Sequence, residues 1–212
     1  MLYIYCAGGF GKEVFDIASR SGYNPNDILF IDDAASVVST SNVVSFDCFV
    51  NSHTFDDEII IAHGEPLVRA HLYEKLLPFS PNFATIIDPS SIISTTAKIG
   101  KGAVVCPFCS ISSSAILSVN CVVNTMSIVG HDCVVGSHSV ISSMVNLGGA
   151  TIVKNQVYVG MGALVRESLI LEDHCIVSMG SVVHRHVESK HIVQGDPAKS
   201  RMINQSGTIF KR

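Results

Sequence analysis

The sequence predicts a two-part chain, a small α/β domain over residues 1–80 followed by a parallel β-solenoid over residues 81–212. Three observations predict it. Every sixth residue from 87 to 183 is Ile, Leu or Val. Residues 2–31 read as strand, glycine-rich turn, helix and strand in succession. Only 15% of the residues are charged, against roughly 25% in an average soluble domain, so apolar residues must be hidden by a regular device.

In the first part, residues 2–6 alternate like a buried strand. Ala7-Gly8-Gly9-Phe10-Gly11 is a glycine-rich turn, and residues 12–21 have helical spacing at Val14, Ile17 and Ala18. Ile28-Leu29-Phe30-Ile31 is a second strand ending at Asp32-Asp33, which completes a βαβ start. Against the dinucleotide pattern G-x-G-x-x-G, Gly8 and Gly11 match the second and third glycines, Cys6 replaces the first, and Asp32 stands 21 residues after Gly11. Such a turn points backbone N–H groups at an anion. The domain is too short for two mononucleotide halves, so one nucleotide is expected. A third strand over 57–62 precedes His63-Gly64-Glu65, a helix is expected over 66–77, and Pro78-Phe79-Ser80-Pro81 marks the boundary.

The second part repeats every six residues: Ile87, Ile93, Ile99, Val105, Ile111, Leu117 and onward to Val177 and Val183, seventeen positions in all. Two residues before each stands a mostly small column that includes Cys109, Ser127, Cys133 and Ala163. A helix would space apolar residues at three and four, and a simple strand has no period above two. Six residues make one short strand and a turn, and stacking such units buries a continuous core. Four of the seven cysteines fall in the small column and are expected to be small buried hydrophobes. Cys106 and Cys109 have CxxC spacing, but no second cysteine pair or spaced histidine pair accompanies them, so no metal is expected.

Composition narrows function. Fourteen Lys and Arg against eighteen Asp and Glu give a net charge of −4, which argues against a nucleic-acid binder acting through bulk positive charge. The mean hydropathy is +0.39, yet no apolar stretch approaches the roughly 20 residues of a membrane-spanning helix. The first six residues have no basic n-region and no cleavage pattern follows, so a cytoplasmic protein is expected.

The six-residue repeat resembles that of the hexapeptide-repeat acyltransferases, whose left-handed β-helix is a three-sided prism of eighteen residues per coil. Seventeen units then make between five and six coils. The Ala7-Gly8-Gly9-Phe10-Gly11 opening, Gly130-His131-Asp132-Cys133 and Gly195-Asp196-Pro197-Ala198-Lys199 together resemble one subgroup, the sialic acid O-acetyltransferases and N-acetyltransferases of nucleotide-linked 4-amino sugars. The resemblance covers nearly the whole chain. It implies a Rossmann-like first domain holding the nucleotide-sugar, acetyl-CoA as cosubstrate along the β-helix between subunits, and a homotrimer.

Carried over residue by residue, His131 is the general base and Asp132 takes the place of the acidic residue, often Glu, that follows it. Acetyl-CoA is already an activated thioester, so a base that takes the proton of the attacking amine suffices, without an acyl-enzyme. Gly149, eighteen residues after His131, is expected one coil further on the same face, with its N–H toward the developing oxyanion. Met161 matches a position lining the CoA channel, and Lys199 is a candidate contact to CoA phosphate. Gly8, Gly9, Gly11, Asp32, Gly64 and Arg69 are the candidates for the nucleotide-sugar pocket. Relatives carry a second histidine nine residues after the first; here that position is Val140. His138 shares an eighteen-residue column with Asn120, Gln156 and His174, read as a polar outer ridge. The reading that results is transfer of acetyl to the amine of a nucleotide-linked 4-amino-sugar in the making of bacterial surface glycans. The alternatives are O-acetylation of sialic acid or a related nonulosonate, and a non-catalytic β-helix scaffold.

Overall fold

The computed structural model of the chain describes residues 1–33 and 42–209. β1 (Leu2–Tyr5), α1 (Gly9–Arg20) and β2 (Ile28–Ile31) form the expected βαβ unit. α1 starts earlier than its apolar spacing indicates, because Gly9 and Phe10 already form its first turn. β4 (Glu58–Ile61) pairs with β1 on the side opposite β2, all three parallel. Both faces of this sheet are covered, so β1 is buried throughout and the strands are continuous apolar runs. Three elements escape the periodicity: β3 (Val43–Val44), α2 (Phe46–Ser52) and β5 (Asn82–Phe83). The two strands are too short to show a pattern, and α2 is specified chiefly by Ser45, whose hydroxyl accepts the Cys48 N–H as an N-cap. The sheet order is β3-β2-β1-β4-β5. α3 (Pro66–Leu76) follows β4.

Seventeen two-residue strands, β6 (Ile86–Ile87) to β22 (Val182–Val183), make the solenoid. From β6 to β19 each pairs in parallel with the strand eighteen residues on, as Val122 does with Val140 and Val140 with Tyr158. They assemble into sheets of six, five and eight strands, the last extended by β23 (His191–Gln194) and β24 (Lys199–Ile203). The second residue of each strand points inward, and from Val105 to Val183 that aliphatic column is buried. Ile87, Ile93 and Ile99 are only partly buried, since the first coil has none before it.

At the corners from Gly102 to Gly180 one residue takes a left-handed conformation, among them Asn120, Met126, Asp132 and His138 at φ 53 to 62°. The small inward column then does more than fill space. Ser127 Oγ donates to the Ser142 carbonyl at 2.7 Å and Ser139 Oγ to the Lys154 carbonyl at 2.7 Å. Cys109 and Cys133 aim their thiols at the Asn124 and Gly148 carbonyls, each at 3.1 Å. These cysteines were expected as plain hydrophobes; they are hydrogen-bonding members of a corner ladder, which explains why serine and cysteine interchange there.

The eight-stranded face carries the first domain. Its outward residues Val104, Val122 and Val140 are buried in one cluster with Leu2, Ile4, Val14, Ile17 and Ile60. Arg69 on α3 crosses this junction fully buried, donating to the carbonyls of Asn120 (2.9 Å), Ile61 (2.7 Å) and His63 (3.0 Å) and to the Asn120 side chain. No helix among the described residues is long and apolar enough to cross a membrane.

Ser127 tests the ladder, because its hydroxyl also accepts the Val145 N–H at 3.2 Å. Ser127→Ala leaves two buried backbone groups without their side-chain partner and is expected to cost about 1–3 kcal/mol in urea unfolding. Ser127→Cys, which restores the chemistry of Cys109 and Cys133, is expected to cost less.

Candidate active site

His131 lies between β13 (Ile128–Val129), on the six-stranded face, and β14 (Val134–Val135), on the five-stranded face. It therefore stands at the corner opposite the face that carries the first domain. The corner is stapled to both neighbouring coils: the Asp132 N–H donates to the Ser113 carbonyl at 3.0 Å, and the Ala150 N–H to the His131 carbonyl at 2.7 Å. Asp132 is the left-handed residue of this turn, at φ 59°. That conformation brings its Oδ2 to 2.8 Å from His131 Nδ1, so the shorter side chain does reach its neighbour's ring. A carboxylate on Nδ1 selects the tautomer with a proton there and leaves the Nε2 lone pair facing outward.

Gly149 takes up the place that the eighteen-residue period assigns it. A Cβ built there would fall into the His131 ring, 2.6 Å from Cε1. A side chain at this position would have to push the ring aside, so the glycine lets His131 keep its place. Among the described residues the Gly149 N–H donates to no other backbone carbonyl. The His131 side chain is 69% exposed, which leaves Nε2 open to a substrate.

Gly8, Gly9, Asp32 and Gly64 come together at the carboxyl edge of the first sheet. Gly8 and Gly9 follow β1, Asp32 follows β2, and Gly64 follows β4. The chain leaves β1 toward β2 on one side and returns to β4 on the other, and such a switch point opens a crevice at the strands' carboxyl ends. A Cβ at Gly8 or Gly9 would meet nothing within 4 Å, so the N-terminus of α1 has room before it. Asp32 Oδ2 accepts the Ala7 N–H at 3.2 Å and ties the two loops. Cys6, in the place of the pattern's first glycine, has φ 86°, the left-handed backbone a glycine would adopt without strain. Its thiol is pushed up to about 12 by burial and by Asp32 and Asp33, so it is not a nucleophile.

Two members of the expected pocket belong elsewhere. Arg69 is fully buried with its donors spent on the domain junction, so it is not a substrate contact. Gly11 is buried, and a Cβ there would collide with the Cys6 carbonyl; it serves the close approach of helix and strand. Met161, 50% exposed, stands at the corner between the eight- and six-stranded faces, away from His131 of the same chain. Lys199 begins β24 and lines a hollow of about 320 Å³ with Arg185, His186 and His191. Val140 is buried under the first domain, where no polar contact to a ligand is available. Among the described residues no three His, Cys, Asp or Glu side chains gather as a metal site.

The column of Asn120 and His138 is not an outer ridge at its start. Asn120 is 1% exposed, its amide donates to the Arg69 carbonyl and lies 2.9 Å from His138 Nδ1, and Tyr73 of α3 packs against the His138 ring. Spacing could not reveal this, since the cover comes from another part of the chain. Burial and then the Arg69 charge lower the His138 pKa to about 4. The unfolded chain takes up this proton near pH 6.5 and the folded chain only near 4, so stability is retained above about 6.5 and lost as pH falls through that window. His138→Gln is expected to flatten the fall, read as urea midpoints at several pH values across it.

Residues 1–76 match the PglD N-terminal domain family. The GDP-perosamine N-acetyltransferase of Escherichia coli O157:H7 is 27% identical over 114 residues, a stretch that spans half of this chain and half of that enzyme. The acetyltransferase domain of PglB from Neisseria gonorrhoeae FA1090, solved in complex with acetyl coenzyme A, superposes with a TM-score of 0.88 at 27% identity, covering 94% of this chain and 98% of that one. PerB from Caulobacter crescentus, in complex with CoA and GDP-perosamine, superposes with a TM-score of 0.88 over 95% of this chain and 97% of its own, and at 24% identity it speaks for the fold. The chain thus joins a match to the PglD N-terminal domain over its first 76 residues to a β-solenoid with the fold of the left-handed β-helix acetyltransferases.

Proposed function

We propose that this protein transfers the acetyl group of acetyl-CoA to the amine of a nucleotide-linked 4-amino-sugar, in the assembly of bacterial surface glycans. The observation that carries the chemistry is the His131 corner, with Asp132 on Nδ1 at 2.8 Å and a glycine against the ring one coil on. The amine nitrogen attacks the thioester carbonyl while His131 Nε2 takes the amine proton. Asp132 steadies the imidazolium, and the Gly149 N–H is placed to support the oxyanion until CoA thiolate leaves. The glycine-rich crevice takes the nucleotide, with the N-terminus of α1 toward its phosphates. Nucleotide-linked amino-sugar chemistry in the named relatives supports the amine as acceptor.

The working site is formed between subunits of a homotrimer. The first domain covers the eight-stranded face, while His131 stands at the opposite corner of the same prism. A sugar held by one chain's crevice therefore meets the histidine of another chain. Among the described residues, the two faces that flank His131 carry outward aliphatics that stay exposed, such as Ile128 (42% exposed) and Leu164 (48%) on one and Ile116 (38%) on the other. Packing a neighbour against them would bury apolar area and shield the exposed His131 pair from water.

CoA thiol release with a panel of UDP-, dTDP- and GDP-linked 4-amino sugars tests the reading, with free and CMP-linked sialic acid as controls. Turnover is expected only with the amino sugars. Silence from every acceptor together with no acetyl-CoA binding would sink it. His131→Asn is expected to lower kcat by about 10²–10⁴-fold, and Gly149→Ala, which displaces the ring, by about 10²-fold. Mixing His131→Asn chains with Gly8→Trp chains during refolding is expected to restore turnover that neither parent shows, because some mixed sites regain both intact halves.

A further inference from the structure

After β24 the chain does not stop at the end of the solenoid. The Asn204 N–H donates to the Lys190 carbonyl at 2.8 Å, which fixes the start of the tail against the last coils. Asn204 is 8% exposed and organises the turn that follows: its amide donates to the Thr208 carbonyl (3.2 Å), and its Oδ1 accepts from Ser206 Oγ (3.1 Å) and the Gly207 N–H (3.2 Å). Gly207, at φ 72°, lies against Leu67 of α3. The Ile209 N–H then donates to Glu65 Oε1 at 2.7 Å. Glu65 is 4% exposed and is the residue before α3, yet its side chain does not cap the helix. Its own N–H donates to His63 Nδ1 at 3.1 Å. The tail thus reaches from the coil end that carries Lys199 to the loop after β4, which is one lip of the glycine-rich crevice.

We propose that residues 204–209 are a strap that positions loop 63–65 at the nucleotide-sugar crevice through the Ile209–Glu65 hydrogen bond and the Asn204 turn. The proposal rests on the reading of that crevice given above. With the strap in place, Glu65 is held, its N–H keeps the His63 ring oriented, and Gly64 stays at the crevice lip. The same loop is also held by Arg69, whose guanidinium donates to the Ile61 and His63 carbonyls and whose N–H donates to the Glu65 carbonyl at 2.9 Å. The strap contributes a sugar-side effect although it departs from the opposite end of the solenoid.

Two variants of the full chain test it: Ile209→Pro, which deletes the donor N–H, and Asn204→Ala, which unmakes the turn. Amide exchange over residues 63–69, measured by mass spectrometry on the protein alone, is expected to rise about three- to tenfold in both, the size of one net hydrogen bond. The KM for the nucleotide-linked amino-sugar is expected to rise by about the same factor, while kcat and the KM for acetyl-CoA stay within about twofold. Unchanged exchange in both variants overturns the strap whatever the activity. Raised exchange with an unmoved sugar KM, or with both KM values rising together, overturns its role at the crevice. A wild-type protein silent with every amino sugar overturns the functional reading and the strap's role at the crevice with it, while the exchange result still decides whether the strap holds loop 63–65.

Discussion

Each corner of the solenoid is held by the corner eighteen residues on, and this stacking is what everything else depends on. A two-residue strand has almost no stability alone, so the coil survives only because its neighbours complete its backbone bonds and its interior. The inward aliphatics supply the apolar burial, and the small column supplies donors to carbonyls that a tight corner would leave unpaired. One residue longer or shorter in any rung would turn the inward side chains outward from that point onward. The unbroken six-residue count is therefore a physical requirement of the core, and it also places His131 and Gly149 in contact.

The reactive corner gains its order from the same source. Asp132 adopts the left-handed backbone that the corners from Gly102 to Gly180 share, and the cost of that conformation is offset by the two backbone bonds that staple the turn. The acid meets its histidine as a by-product of corner geometry. An exposed ion pair contributes little to stability, so what this pair fixes is the orientation of the ring.

The first domain is built on the solenoid as much as beside it. Its buried cluster is continuous with the outward valines of the eight-stranded face, and Arg69 satisfies backbone carbonyls of both parts at once. A charge buried this deeply is tolerated because its hydrogen bonds are met by fixed acceptors, and it gives the junction a single geometry. The same packing removes Val140 and Asn120 from any surface role and turns the crevice away from the histidine of its own chain. The strap from the solenoid's far end closes this arrangement by reaching the crevice loop.

The repeat, the βαβ start, the glycine-rich turn and the His131–Asp132–Gly149 set were legible in the sequence because each depends on local spacing or on a fixed period. Four residues differ from their sequence reading for one reason. Arg69 has the residue type of an anion contact, Gly11 that of a phosphate turn, and His138 and Asn120 that of a polar ridge, yet burial decides what each does. Burial is set by which face the first domain covers, and that choice is not written in any six-residue or helical period. What the sequence by itself determined is the coil, its register and the meeting of His131, Asp132 and Gly149 at one corner, since those follow from periodic contacts. Only the tertiary structure decided which faces are docked and which stay free, and how the C-terminal segment returns to Glu65. Such contacts join residues far apart in the chain through packing, where spacing carries no signal.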